Sequence, residues 1–467
     1  MALARYRVRP KINPGRKDVA LGSGASTDDR LWLGTLAESG AVGASKIQLL
    51  TSKEQVIAVV GKRGSGKSFT LGTIVEGLTC RGRSTLSVQE KPRAVLLFDP
   101  LDIYWPTRFP VEPSTNSEVQ RHFTLAKTAK IDGNECDVEA WVPGEQHRRE
   151  TDPDWFQTLQ LSVPGTGLDE WGLLLGVDMM SDPMGQTFAD AWRLVTTEGY
   201  RVGQRRIEKS EEFDLEDLGR ALQADELEDV HDATRKALKQ RLSAMHGTDL
   251  FTKRGTGIRD LLKAGRASVI LLSRLNESYR AAVVSILTRM LISERQAVSF
   301  AEKRLALDSS VTPKVRRRLE TAVRNGVPRT VVVLDEAQTF LAPGPRTPVR
   351  SLFTQLVKEG RNMGLSAVIA TQQPSAIDKA VLSQVVTFIA HQLVTESDIR
   401  AVRENLKSEL PEKISYGPDS WEKIDPLLRM LPPGYCVVSS SDIDTTPRRA
   451  IVVTVRPRAT VHGGIEL

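Results

Sequence analysis

Three short stretches put reactive side chains where an apolar run stops: "GKRGSGKS" (Gly61–Ser68), "VVVLDEAQ" (Val331–Gln338) and "SAVIATQQP" (Ser366–Pro374). In the first, glycines at 61, 64 and 66 let the backbone turn with its N–H groups inward, and a following helix N-terminus favours an anion. Lys67 is spaced to reach β- and γ-phosphates and the Ser68 hydroxyl to ligate Mg²⁺. Contacts to the bound nucleotide are therefore expected from Gly61, Gly64, Ser65, Gly66, Lys67, Ser68 and Phe69. Chance predicts only on the order of 0.01–0.02 such matches in a chain of this size and composition, so the loop reads as a nucleoside triphosphate cradle. In the second stretch, Asp335 and Glu336 follow four apolar residues. Such a pair can merely cap the next helix; beside a phosphate loop it reads as catalytic, Asp335 holding the Mg²⁺ that Ser68 touches and Glu336 orienting the attacking water. That adjacent glutamate argues for hydrolysis over nucleotide storage. In the third, Thr371 and Gln372 end a strand, either as a plain turn or where a side chain senses the γ-phosphate. Arg361, in "KEGRNMGLS", is either a surface helix residue or an arginine finger reaching across a subunit boundary.

These residues need a sheet to carry them. Val56–Val60 is short, mostly β-branched and stopped by glycine, so it reads as a buried strand. Leu71, Ile74, Val75 and Leu78 then recur at helical spacing. "RAVLLFDPLDIYW" (Arg93–Trp105) gives a second buried strand, closed by Pro100 with Asp99 at its end. "SVILLS", "TVVVLDEAQ", "SAVIATQQP" and "TFIAHQL" add four more, and Val283, Leu287, Met290 and Leu291 mark a helix between the first two of them. Apolar strands without alternation, separated by helices, predict an α/β fold with a mainly parallel central sheet covered on both faces. "YCVVSS" and "AIVVTVR" are expected to pair at one sheet edge. Residues 180–262 read as a helical insertion, with Leu215, Leu218, Leu222, Leu238, Leu242 and Met245 at helical spacing and Asp214 as an N-cap. The expected organisation is a basic arm over 1–45 with little β structure and too few strand signals to close a barrel. A first core part follows over 46–179, then the insertion, then a second core part over 263–467 with the acids, sensor, finger and final strands. Residues 106–165 carry no clear pattern.

With 26% charged and 40% hydrophobic residues, the composition is that of an ordinary soluble chain. Its three cysteines (Cys80, Cys136, Cys436) are widely separated and lack C-x-x-C spacing, which argues against a disulfide framework or zinc site and for a reducing, cytoplasmic setting. No run approaches the length of a membrane span, and the six histidines show no metal-ligand spacing. The net charge of +6 fits a nucleic-acid partner without demanding one. Basic residues cluster in the arm (Arg5, Arg7, Arg9, Lys11, Arg16, Lys17), in "RVGQRRIEK" (Arg201–Lys209), in "KVRRR" (Lys314–Arg318) and in "VRPR" (Val455–Arg458). Each cluster alone is more often a solvated face than a phosphate contact. Nothing suggests the compact acceptor site of a metabolic kinase.

Taken together, "GKRGSGKS", "LLFDP", "VVVLDEAQTFL", "EGRNMGLSAVIATQQPSAIDKAVLSQ" and "PRRAIVVTVRPRATVHGG" resemble the HerA branch of the HerA–FtsK superfamily. The resemblance runs from about residue 55 to 464 and implies a RecA-like P-loop core assembled as a hexameric ring that moves double-stranded DNA with ATP and Mg²⁺. It also implies Lys67 and Ser68 as nucleotide and Mg²⁺ contacts, Asp335 and Glu336 as metal-binding and water-activating acids, Gln372 as sensor, and Arg361 as the finger for a neighbour's ATP. Relatives with a short N-terminal arm resemble ATPases of anti-phage defence that work beside a nuclease or NAD-consuming effector. An ATP-gated scaffold that assembles such an effector, with little translocation, is the alternative expectation.

Overall fold

The computed structural model describes residues 18–22, 29–37, 45–80, 86–344, 347–406, 414–416, 419–421, 424–443 and 450–464. Every basic residue of the N-terminal cluster lies outside them. Among the described residues the main sheet has fourteen strands. In chain order they are β1 (Val19–Leu21), β2 (Arg30–Leu36), β3 (Lys46–Leu50), β4 (Val56–Val60), β5 (Ser87–Val88), β6 (Ala94–Asp99) and β7 (Val138–Pro143). There follow β8 (Gln157–Leu159), β9 (Ala267–Leu271), β10 (Thr330–Leu334), β11 (Leu365–Thr371), β12 (Thr387–Ala390), β13 (Tyr435–Ser440) and β14 (Ile451–Val455). Side by side they run β1-β3-β2-β14-β13-β12-β4-β11-β10-β6-β9-β7-β8, with β5 added to β2. From β12 to β8 every neighbouring pair is parallel. Strands β12, β13, β14, β2 and β3 pair antiparallel in turn.

The parallel part is buried on both faces, as its unbroken apolar runs require. Val56, Ala58 and Val60 of β4 join one core while Ile57 and Val59 join the other. Strands β6 and β10 split the same way. Helix α1 (Lys67–Thr79) covers one face through Leu71, Ile74, Val75 and Leu78. On the other face lie two helices that follow β9 and β10 in the chain: Glu277–Leu307, through Val283, Leu287 and Leu291, and Pro348–Met363, through Phe353 and Leu356.

Strands β13 and β14 do pair, but inside the sheet, because residues before the phosphate loop supply β2, β3 and β1 beyond them. Ile451 and Val453 of β14 pack into one core and Val452 into the other, so that strand needs cover that a sheet edge would not provide. The helical segment begins earlier than residue 180, at Leu168–Leu175, and a hairpin of Tyr200–Val202 with Arg205–Ile207 interrupts it. Asp214 does cap the helix Leu215–Ala221, its carboxylate accepting from the Asp217 N–H. Trp171, Phe188, Trp192 and Phe213 pack at ring distances of 5.1–6.3 Å and fuse this segment to the main core.

One expectation from composition is overturned. Arg456 and Arg458 of "VRPR" are not on a solvated face; they are 2% and 1% exposed. Each makes an ion pair with Glu76 of α1, Arg456 Nη1 at 2.7 Å and Arg458 Nε at 2.9 Å. Burial opposes the Glu76 charge, but the two guanidiniums outweigh it and lower the carboxyl pKa. Cys80 and Cys136, 56 positions apart, are brought to an Sγ–Sγ separation of 3.0 Å. Sequence spacing hid this because the contact is made by the fold.

Candidate active site

All three reactive stretches converge at the carboxyl ends of β4, β6, β10 and β11, the edge where open α/β sheets bind ligands. Strand β11 lies between β4 and β10, so its end, with Thr371 and Gln372, stands between the phosphate loop and the acids. Gly64 and Gly66 have φ of +77° and +108°, backbone that side-chain-bearing residues adopt only at a cost. At Gly61 a Cβ would come within 2.5 Å of Ser65 Oγ and 2.7 Å of His391 Cβ, so the loop entrance admits no side chain. The Ser65 hydroxyl donates within the loop to the Lys62 carbonyl (2.7 Å).

At the centre, the Lys67 ammonium bonds to Asp335 Oδ1 and, at 3.1 Å, to Glu336 Oε1. Burial works against the ammonium charge, yet the two carboxylates outweigh it and raise the lysine pKa. Gln372 Nε2 donates to Glu336 Oε1 (2.7 Å) and Gln338 Nε2 to Oε2 (2.6 Å). The Thr371 hydroxyl in turn donates to Gln338 Oε1 (2.7 Å). Glu336 is thus clamped from three sides, and Lys67 with the two amides lowers its pKa against the opposing effect of burial. Its backbone sits at φ +49°; such strain, costing about 1–3 kcal/mol, persists where surrounding contacts impose it.

Sequence reasoning missed three contributors. Tyr104, fully buried, donates its hydroxyl to Asp335 Oδ2 at 2.6 Å, and its phenol also interacts with Ser68. Tyr104 is placed by Asp99, whose carboxyl accepts from the Tyr104 N–H (2.8 Å) and the Leu101 N–H (3.1 Å). Burial, helped by Asp102 and Asp335, pushes the Asp99 pKa up to about 8 against those two bonds. Gln338 was within a quoted motif without a role. His391 bonds through Nδ1 to the Tyr435 carbonyl (2.9 Å), which fixes Nε2 as acceptor from the Thr70 hydroxyl (2.8 Å). Burial drops its pKa to about 4. A polar residue inside the apolar run "TFIAHQL" was its signal.

Arg361 is exposed, near the end of the helix that precedes β11, and makes no hydrogen bond or ion pair among the described residues. Gly61 N–H meets the last residue of β11 (Thr371 carbonyl, 3.3 Å), so the length of that strand, roughly 20 Å, separates Arg361 from its own phosphate loop. Phe69 also stands outside the set, with ring-edge contacts to His122 (5.5 Å) and His462 (5.6 Å).

For a divalent cation the donors are Ser68 and Asp335, an all-oxygen pair suited to a hard ion such as Mg²⁺. Two buried carboxylates that share a single lysine also mark a place built for positive charge. The residues fit the ion. When bound, it would neutralise charge on the phosphate oxygens.

Strand, glycine loop, helix and paired strand-end acids define a P-loop nucleotide-binding protein. The family described as "Helicase HerA, central domain" matches residues 34–291, over half of the chain, and the chain belongs to that family, in the HerA branch of the HerA–FtsK superfamily. The match includes the phosphate loop and stops before Asp335. The DNA double-strand break repair helicase HerA of Sulfurisphaera tokodaii is 28% identical over 159 residues, 33% of this chain and 28% of that protein. Its namesake from Saccharolobus solfataricus is 23% identical over 205 residues, 42% of this chain and 37% of the relative. The chain thus spans about a third of the length of these relatives. Among solved structures, VirB4 of Thermoanaerobacter pseudethanolicus superposes with a TM-score of 0.52 at 14% identity, over 93% of this chain and 97% of VirB4. That likeness is one of fold.

Proposed function

We propose that this chain is the Mg²⁺-dependent ATPase subunit of a hexameric motor that moves double-stranded DNA. The observation that carries the reading is the clamped Glu336 beside Lys67, Asp335 and Gln372, a constellation that hydrolysis needs and nucleotide storage does not. In the proposed cycle Lys67 leaves the acids for the β- and γ-phosphates, and Ser68 and Asp335 would hold the cation, which would neutralise phosphate charge. Glu336 orients and polarises the attacking water, and Gln372 reports γ-phosphate occupancy to β11. Arg361, a strand's length from its own loop, serves the ATP of the next subunit. The motor grips phosphates without reading bases, so its DNA binding weakens with salt. Kinship with DNA repair helicases supports the substrate. A nuclease or NAD-consuming partner in anti-phage defence or DNA processing is supported by the sequence resemblance.

The test is the steady-state ATPase rate with and without linear duplex DNA, on protein whose mass in solution is known. Stimulation of a hexamer is expected. A hexamer indifferent to DNA replaces the motor with the ATP-gated scaffold, and a monomer removes the role given to Arg361.

A further inference from the structure

We propose that Cys80 and Cys136 form a modification site: a reversible disulfide installed by a peroxide. Cys80 is the residue on which α1 ends, with its N–H bonded to the Glu76 carbonyl at 2.8 Å. Cys136 lies two residues before β7, and the two form an isolated antiparallel bridge, backed by the Asp137 N–H to Thr79 carbonyl bond of 3.2 Å. Facing residues of antiparallel strands have Cα atoms about 4.5–5.5 Å apart, inside the range of about 4.4–6.8 Å that disulfides span. The Sγ–Sγ separation of 3.0 Å is only about 1 Å longer than a disulfide bond. A small side-chain rotation therefore closes the bond without moving the backbone.

The two thiols are not equivalent. Cys136 is 3% exposed, whereas Cys80 is partly open to solvent. The hydrogen bond to Cys80, and then burial, raise the Cys136 pKa well above that of an ordinary thiol, so a dissolved oxidant meets Cys80 first. Cys80 sulfur attacks one peroxide oxygen; the S–O bond forms, the O–O bond breaks and water leaves. Cys136 sulfur then attacks the Cys80 sulfenic acid; the S–S bond forms, the S–O bond breaks, and the Cys136 proton departs with the hydroxyl as a second water. Two thiols are oxidised and one peroxide is reduced to two waters. The product ties the end of the phosphate-loop helix to the strand entering β7 and closes a covalent loop between positions 56 apart. Cys436 is fully buried in β13 and serves as the internal control.

The test treats the native chain with hydrogen peroxide, removes it with catalase, then counts thiols after denaturation and maps the peptides. The count is expected to fall from three to one, with Cys80 and Cys136 peptides joined and the intact mass reduced by two hydrogen atoms. Dithiothreitol should restore all of it. The oxidised protein should also melt at a higher temperature than the reduced one, a shift that Cys80→Ser and Cys136→Ser each abolish. Three titratable thiols after treatment, or Cys80 recovered as an unlinked sulfinic acid, overturns the proposal. So does a loss of two thiols that maps to any other pair.

Discussion

Removing one hydroxyl, in Tyr104→Phe, separates the positioning of Asp335 from its charge. The phenol donates to Asp335 Oδ2 at 2.6 Å, while Oδ1 is held by Lys67 and by the Glu336 N–H at 2.8 Å. Phenylalanine keeps the ring in its fully buried site and leaves Oδ2 without this donor. A hydrogen bond to a charged group is worth about 1.5–3 kcal/mol. If the proposed cycle draws on Asp335 to hold the cation, the loss appears mainly as weaker metal affinity, and 1.4 kcal/mol per decade converts it to roughly 10- to 150-fold. Losses on removing partners of metal-ligating groups are about 10- to 100-fold. The assay is ATP turnover against free Mg²⁺ at saturating ATP. The half-saturating Mg²⁺ concentration should rise by that factor, and the maximal rate should recover at high Mg²⁺. A half-saturation point unchanged within about twofold refutes the reasoning. So does a rate lost equally at every Mg²⁺ concentration, because then Tyr104 merely packs.

Four further expectations follow from the same geometry. Lys67→Ala should abolish ATP binding in an equilibrium titration, and unchanged affinity would sink the cradle assignment. The variant should also unfold at lower denaturant, because breaking a buried pair costs about 3–5 kcal/mol and Asp335 is fully buried. Glu336→Ala should bind ATP and not turn it over, leaving a nucleotide-loaded protein; hydrolysis at the native rate removes Glu336 from its role. Glu76→Ala strands two buried guanidiniums and should cost about 3–5 kcal/mol in denaturant unfolding, whereas a loss under about 1 kcal/mol would mean that Arg456 and Arg458 reach water instead. His391 titrates near 4 in the fold against 6.5 ordinarily. Between those values the unfolded chain binds the proton and the native one does not, so stability falls with pH across the window, by about 3 kcal/mol in all. Melting temperatures from pH 7 to 4 should drop less steeply in His391→Asn; parallel curves would show that the imidazole is not buried neutral.

What was legible in the sequence was local. Lys67, Ser68, Asp335, Glu336 and Gln372 each follow an apolar strand within a few residues, so type and spacing place them at one sheet edge without knowledge of the rest. Contacts made across the chain were not legible. Glu76 and Arg456 are 380 positions apart, and "VRPR" on its own has the look of a solvated tail. The signal lay in the partner: Glu76 interrupts the apolar series Leu71, Ile74, Val75 and Leu78, and an acid on the buried face of a helix must be matched by a base somewhere. His391 inside an apolar strand made the same demand. Strands β2 and β3 were under-read because the sheet completes them. "RLWLGTL" has a bulge between Trp32 and Gly34, and its pairing partner β14 is some 420 residues later. Glu336 is the sharpest case. The role proposed for it follows from the motif, but a left-handed backbone at glutamate follows from nothing local. It is imposed by Lys67, Gln338 and Gln372, which hold the carboxylate where the strand end alone would not have put it.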